Sequence, residues 1–157
     1  MAQRVYLETS IISYLAARPS SDLITAARQK LTHEWWARRR STFEICASEL
    51  VVAEAAAGDR DAAERRAQIL GGIPLLSIPE GAVGLAEKLV QAAGLPVRAA
   101  ADALHISVAA CHGIEYLLTW NSTHIANAEF RPKVERACRD NGFEPPVLCT
   151  PDELMGE

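Results

Sequence analysis

Three acidic side chains stand at positions where a carboxylate needs a partner. Glu8 directly follows a strand-like segment, and Glu54 and Asp102 each lie among alanines in a predicted helix. Burying an unpaired charge is costly. A hard cation such as Mg²⁺ is a suitable partner, because it binds a few carboxylate oxygens and keeps several waters. Two or three acids that converge in one cleft would form such a site, and Asn121, just beyond another predicted strand, adds a neutral oxygen donor.

Each of these acids also has an ordinary structural interpretation. A lone glutamate in the middle of a helix, such as Glu54, is usually solvated. An aspartate in a first helical turn, such as Asp102, commonly interacts with the helix dipole, and Glu8 could cap the helix that follows it. Residue type and spacing alone leave both interpretations open, and the outcome depends on the helices and strands that position these side chains.

Short apolar runs alternate with amphipathic stretches along the whole chain. The runs predict strands over residues 5–7, 43–47, 73–78, 116–119 and 146–149. The stretches predict helices that begin near residue 11 and cover residues 22–40, 61–70, 80–93, 98–112 and 131–141. One further helix runs from Ser48, as its N-cap, to residue 57, and a capping box begins at Thr150.

Strands that alternate with helices over short connections predict one fold class. We expect a three-layer α/β/α fold around a central, mostly parallel sheet of about five strands. Ligands of such sheets bind beyond the carboxyl ends of the strands. Glu8 and Asn121 both fall at such ends.

Length, charge and composition limit the class of protein further. The 157 residues can bury a core and predict a single domain over residues 1–157. A net charge of −4 argues against a broadly basic nucleic-acid-binding surface, but it is compatible with an acidic enzyme that has a local basic patch. The four cysteines match no zinc-binding spacing. Because no signal peptide or membrane-spanning run is evident, we expect a cytoplasmic protein without membrane association.

The basic, aromatic segment WWARRR at residues 35–40 has two interpretations. Arg38 and Arg39 could contact phosphates while the tryptophans stack on unpaired bases. Alternatively, the segment is a helix end where cations complement the dipole and the tryptophans pack inward. His105 and His124 could neighbour the acidic site, although a structural role is the default expectation for both.

Several enzyme classes are excluded by missing motifs. The sequence has no glycine-rich phosphate loop and no nucleophile elbow, so P-loop NTPases and typical serine hydrolases do not fit.

Four local sequences resemble, in order, the motifs of the PIN-domain family. The segment VYLETSIISYL at residues 5–15 resembles the opening motif, in which an acid followed by Thr-Ser ends the first strand. SELVVAE at residues 48–54, ADALHI at 101–106 and LLTWNSTHI at 117–125 resemble the second, third and fourth motifs, and PPVLCTPDEL at 145–154 resembles the closing segment. The resemblance covers essentially the whole chain and extends to VapC-like toxins of bacterial type II toxin–antitoxin systems.

The resemblance implies a function and a set of site residues. It implies a metal-dependent ribonuclease that hydrolyses RNA phosphodiester bonds, is held inactive by a small antitoxin protein and forms a homodimer. Glu8, Glu54 and Asp102 would bind Mg²⁺ or Mn²⁺ and, with Asn121, form the catalytic site. Thr9 and Ser10 would support the site through hydroxyl hydrogen bonds and contact the substrate.

Two departures from the family pattern lead to alternatives. The first acid is usually Asp, whereas Glu8 is longer by one methylene; Asn121 replaces a fourth acid and removes one negative charge, which disfavours tight binding of two cations. Both features favour, as an alternative, a catalytically weak PIN-like module that binds RNA or a protein without cutting. A second alternative is a metallohydrolase that acts on small phosphoesters.

Overall fold

The computed structural model describes residues 2–156, and that part of the chain is organised around one five-stranded sheet. All strand pairs are parallel, in the order β3-β2-β1-β4-β5. The strands are β1 Arg4–Leu7, β2 Glu44–Ser48, β3 Leu75–Leu76, β4 Tyr116–Leu118 and β5 Val147–Cys149. In the register of β1 and β4, Leu7 lies opposite Leu118, so the two strands end level with each other.

Helices cover both faces of this sheet. They are α1 Thr9–Ala16, α2 Leu23–Arg39, α3 Glu49–Ala55, α4 Arg60–Leu70, α5 Ala82–Ala93, α6 Ala100–Cys111 and α7 Arg131–Asp140. Helix α1 packs against α2, α3 and α4, whereas α5 packs against α6 and α7. With right-handed crossovers and this strand order, the two groups lie on opposite faces. The predicted three-layer α/β/α fold is confirmed.

Local sequence signals account for many of the element boundaries. The Ser48 hydroxyl accepts a hydrogen bond from the Val51 backbone N–H at 3.4 Å, which confirms the predicted N-cap of α3. The predicted capping box at Thr150 is also present, and it begins a 3-10 turn over Pro151–Leu154. After α3 the chain turns at Gly58, whose φ of +84° is a conformation that favours glycine.

The third strand is shorter than the sequence predicts. Only Leu75–Leu76 pairs with β2, whereas the apolar run at residues 73–78 predicted a longer strand. Leu76 is opposite Ser48, the last residue of β2, so the following residues have no strand to pair with. Pro74 also lacks a backbone N–H, which limits pairing on the other side. The prediction of a strand over residues 73–78 was wrong because the length of a strand in a sheet depends on how far its partner strand extends.

The helix ends also differ from the predictions in ways that affect the acids. Helix α3 ends at Ala55 instead of residue 57, so Glu54 is its next-to-last residue and does not lie midway along it. A 3-10 turn, Val97–Ala99, precedes α6, and Asp102 lies in the first turn of that helix.

The site lies where the direction of the strand order reverses. From β1 the chain proceeds to β2 on one side, while β4 lies on the other side of β1. The segments that follow β1 and β4 diverge to opposite faces of the sheet, which leaves a crevice at the carboxyl ends of these two strands. Ligands of open α/β sheets bind in such a crevice. Residues 5–7 and 117–118 are fully buried and fix the floor of this crevice. No helix in residues 2–156 has the length and apolarity needed to cross a membrane.

Candidate metal centre at the ends of the first and fourth strands

Glu8 is the residue that follows β1, and it is 5% exposed. Its backbone N–H donates to the Leu118 carbonyl at 3.0 Å, which extends the pairing of β1 with β4. Its Oε1 accepts hydrogen bonds from the Ser10 hydroxyl at 2.5 Å and the Thr119 hydroxyl at 2.6 Å. Two neutral donors therefore fix one oxygen of this buried carboxylate.

Glu54 projects from the end of α3 toward the same crevice. Its Oε1 accepts hydrogen bonds from the Thr9 hydroxyl and from Nε2 of His105, the latter at 2.6 Å. Burial raises the pKa of this carboxyl, but the bonds from His105 and Thr9 outweigh burial and hold the pKa below its usual range. Glu54 is therefore ionised at neutral pH.

His105 connects Glu54 to a buried chain of hydrogen bonds. An ionised carboxylate only accepts hydrogen bonds, so Nε2 of His105 donates to Glu54. In the neutral imidazole, Nδ1 then accepts from the Tyr6 hydroxyl at 2.6 Å, and the Tyr6 oxygen accepts from Ser48 at 2.7 Å. Burial raises the pKa of Tyr6, which keeps its proton in place for this chain. The chain fixes both the tautomer and the orientation of His105.

Asp102 is held by a different histidine. Its Oδ2 accepts a hydrogen bond from Nδ1 of His124 at 2.8 Å. The loop that carries His124 is in turn fixed by Asn121, whose Oδ1 accepts from the backbone N–H groups of Thr123 at 3.2 Å and His124 at 3.0 Å. Asn121 thus acts on Asp102 indirectly, by shaping the loop that delivers His124.

The three carboxylates share one arrangement. In each, protein donors occupy a single oxygen, and within residues 2–156 no hydrogen bond reaches the other oxygen of Glu8, Glu54 or Asp102. Ligand atoms of Glu8, Glu54 and His105 lie within 4.8 Å of one another. Since His105 directs its proton to Glu54, carboxylate oxygens are the available ligands. Such a set fits Mg²⁺ or Mn²⁺, which prefer oxygen.

The PIN domain family model matches residues 5–130. The chain belongs to the PIN-domain family. The motif resemblance found in the sequence is thereby confirmed, and the three acids described above lie within the matched range.

Solved structures with the same fold include toxins and their complexes. The PIN domain is similar to VapC20 of Mycobacterium tuberculosis, a sarcin–ricin loop cleaving toxin, with a TM-score of 0.60 and 16% identity over 90% of this chain and 99% of that chain. It is similar to FitAB bound to the IR36 DNA fragment, with a TM-score of 0.56 and 18% identity over 94% of each chain. It is also similar to VapBC2 of Rickettsia felis bound to a promoter DNA fragment. The TM-score is 0.53, and the identity is 18% over 77% of this chain and 90% of that chain. No curated protein matches the sequence.

The predicted site residues are only partly brought together. Glu8 and Glu54 lie side by side, and Thr9 and Ser10 donate to them. Asp102 lies on α6, one helical turn before His105, but outside the group of atoms spaced within 4.8 Å. The side-chain oxygen of Asn121 is directed to backbone N–H groups instead of to the acids.

Arg38 and Arg39 are not brought to the acids. They end α2, directly before the 3-10 turn Arg40–Thr42 and the start of β2, and the Arg39 guanidinium lies 5.3 Å from the centre of the Phe43 ring. That edge of the sheet is where strands begin, whereas the acids lie where they end. Trp35 is fully buried, as the helix-end interpretation expects.

Sequence reasoning did not identify Thr119 as a partner of the acids, nor which acid each histidine contacts. Thr119, His105 and His124 each bond to a different carboxylate, and their partners are 111, 51 and 22 residues distant in the chain. The available signal was the occurrence of each residue within a family motif. Position in the motifs indicates only that His105 and His124 could neighbour the acidic site, and the structure places His105 on Glu54 and His124 on Asp102.

Proposed function

We propose that this PIN domain is a divalent-metal-dependent endoribonuclease that hydrolyses RNA phosphodiester bonds. One observation carries the proposal: Glu8, Glu54 and Asp102 each have one oxygen held by protein donors and the other without a protein partner, at the strand-end crevice. The neighbouring carboxylates of Glu8 and Glu54 repel each other in this partly buried site, and a bound cation would relieve that repulsion. The same carboxylates would repel a polyanionic substrate without one.

The residues of the site have distinct proposed tasks. Mg²⁺ or Mn²⁺, when bound, would supply positive charge near the scissile phosphate and lower the pKa of a water molecule. Glu8, Glu54 and Asp102 hold the cation. Thr9 and Ser10 orient two of these carboxylates, and in this proposal they also contact the substrate from the start of α1.

The biological role that we propose is that of a toxin in a type II toxin–antitoxin pair, acting in the cytoplasm as a homodimer. The resemblance of the motifs to VapC-like toxins supports this role, and so does the shared fold with a toxin that cleaves the sarcin–ricin loop. A small cognate antitoxin protein is the proposed partner that restrains the activity.

A second candidate function is RNA or protein binding without cleavage. The observation that favours it is the engagement of Asn121 with two backbone N–H groups. The position of a fourth acid thus carries a neutral residue whose oxygen is already satisfied, and the site has one negative charge fewer to hold cations.

Cleavage of RNA by the purified, antitoxin-free protein separates these candidates. We expect cleavage of a long RNA with Mg²⁺ or Mn²⁺, none with EDTA, and none by the Asp102→Asn variant in either metal. Folded protein that binds RNA or metal but cuts no RNA would support the binding candidate. Hydrolysis of a small phosphoester alone would instead indicate a metallohydrolase of another type.

A further inference from the structure

An indole ring is fixed beside the acidic site. Trp120 follows Thr119, and its backbone N–H donates to the Ser10 hydroxyl at 2.8 Å, the same hydroxyl that donates to Glu8. Its indole N–H donates to the fully buried Thr32 hydroxyl at 2.7 Å. The Tyr14 ring meets it edge-on, with ring centres 6.3 Å apart. Trp120 is thus held by Ser10, Thr32 and Tyr14. The Ser10 hydroxyl also links its backbone N–H to Glu8 through two successive hydrogen bonds.

A cation lies on this ring. The guanidinium carbon of Arg28, on α2, is 5.4 Å from the centre of the Trp120 ring. Such contacts stabilise an arginine and limit its rotamers. Within residues 2–156 no carboxylate lies at ion-pair distance from Arg28. Arg28, a half-buried residue, is therefore held over the Trp120 ring without a carboxylate to neutralise it.

Two other arginines on the α1 face, Arg65 and Arg66, are engaged elsewhere. Nε of Arg65 donates to the Ala16 carbonyl, and Arg66 donates to two carbonyls at the end of α3. Arg38 and Arg39 lie at the opposite edge of the sheet. The crevice itself is lined by carboxylates and the chain carries a net charge of −4, so a polyanion needs a local cation there.

We propose that Arg28, positioned by Trp120, binds a phosphate of the RNA strand on the α1–α2 side of the metal centre. This inference rests on the proposed function for the identity of the polyanion. The planar guanidinium can donate two parallel hydrogen bonds to phosphate oxygens. Arg28 is a binding residue for the strand adjacent to the reacting bond, and Trp120 is a positioning residue that acts through Arg28.

RNA binding by the 157-residue protein tests the proposal. The protein carries Asp102→Asn so that the RNA stays intact, and binding of a short, labelled, unstructured RNA is measured by anisotropy in Mg²⁺ at several salt concentrations. We expect Arg28→Gln to weaken binding about tenfold and to reduce the slope of log affinity against log salt by about one. The matched control, Arg136→Gln on the exposed side of α7, should leave both unchanged.

A second variant separates charge from packing. Arg28→Lys keeps the charge but loses the planar fork, so the salt slope should stay as in the parent protein. The proposal would be overturned if Arg28→Lys lowered RNA affinity as much as Arg28→Gln does and also reduced the salt slope. Altered packing at this position would then explain the effect without a phosphate contact. Equal binding by the Arg28→Gln and Arg136→Gln proteins would also overturn it.

The two proposals can fail separately. If the unmodified protein cleaves RNA and Arg28→Gln does not raise the KM, the nuclease stands and the role of Arg28 is wrong. If the unmodified protein cleaves no RNA but binding depends on Arg28 and salt as described, the phosphate site stands and the nuclease is wrong.

Discussion

His124 donates from Nδ1 to Oδ2 of Asp102 at 2.8 Å, and the two side chains come from different segments on either side of β4. The His124 side chain is 10% exposed and that of Asp102 is 21% exposed, so solvent competes little with this bond. The bond fixes one oxygen of Asp102 and leaves the other for a ligand. Groups that orient metal-binding residues in this way commonly matter almost as much as the ligands.

Removing this donor should weaken metal binding. We expect His124→Leu to lower both Mn²⁺ affinity and RNA cleavage by about 10- to 100-fold, because Asp102 loses its fixed orientation. His124→Asn should retain most of both, since its side-chain amide donates from nearly the same place as Nδ1. Free Mn²⁺ measured by electron paramagnetic resonance gives the affinity. His33→Asn, at an exposed position on α2, is the control.

Unchanged or tighter Mn²⁺ binding by folded His124→Leu protein would contradict this role for His124. It would indicate that the histidine holds Asp102 away from the cation.

The hydroxyl of Tyr6 should matter for stability more than its position in the core alone suggests. It bonds to both Ser48 and His105, and all three side chains are buried. Tyr6→Phe would leave Nδ1 of His105 without its donor and the Ser48 O–H without its acceptor, at a cost of about 1–3 kcal/mol in the free energy of unfolding. Urea denaturation measures this cost. Tyr116→Phe, with no hydrogen bond to its hydroxyl in residues 2–156, should change stability little, and equal effects of the two substitutions would refute the argument.

The lowered pKa of Glu54 predicts a pH dependence of stability in metal-free protein. The folded pKa lies below the unfolded one, so the stabilisation is present above the unfolded pKa and is lost as pH falls through the folded value. The stability advantage over Glu54→Gln should therefore be full near neutral pH and decline in the acid range below about 4. Urea midpoints of the two proteins in EDTA, compared from neutral to acidic pH, measure it. An advantage that grows on acidification would have the wrong sign.

The sequence predicts the positions of the acids in the fold better than it predicts the side chains that contact them. Glu8 was placed correctly at a strand end and Ser48 correctly at a helix start, because both depend on local pattern. The roles of His105 and His124 depend on which helix faces and loops meet at the crevice, which one sequence does not specify. Asn121 illustrates the same limit: its residue type suggested a weakened ligand, whereas the local turn occupies its oxygen.

The predicted length of β3 was wrong for a similar reason. The apolar run at residues 73–78 fits a strand, but β2 ends at Ser48 and gives it only two partners. Leu75 is then 49% exposed at the sheet edge.

The four cysteines should differ in reactivity. Burial raises the pKa of Cys46 and Cys138 to about 11 and that of Cys149 to about 12. Cys111 is partly exposed, and burial raises its pKa less markedly. Because the thiolate is the nucleophile, iodoacetamide should modify Cys111 first in folded protein and the other three only after unfolding. Peptide mass spectrometry over time reports the order, and early modification of Cys149 would contradict the packing described.

The most direct test of the central claim is analysis of the RNA ends left by the protein and by its Glu54→Gln variant. Hydrolysis by water at the proposed site breaks the bond to the 3′ oxygen, so we predict products with a 5′-phosphate and a 3′-hydroxyl. These products should form only with Mg²⁺ or Mn²⁺. Their rate of formation should fall by about 100-fold or more in folded Glu54→Gln protein. Products with a 2′,3′-cyclic phosphate, or undiminished cleavage by Glu54→Gln, would contradict the account.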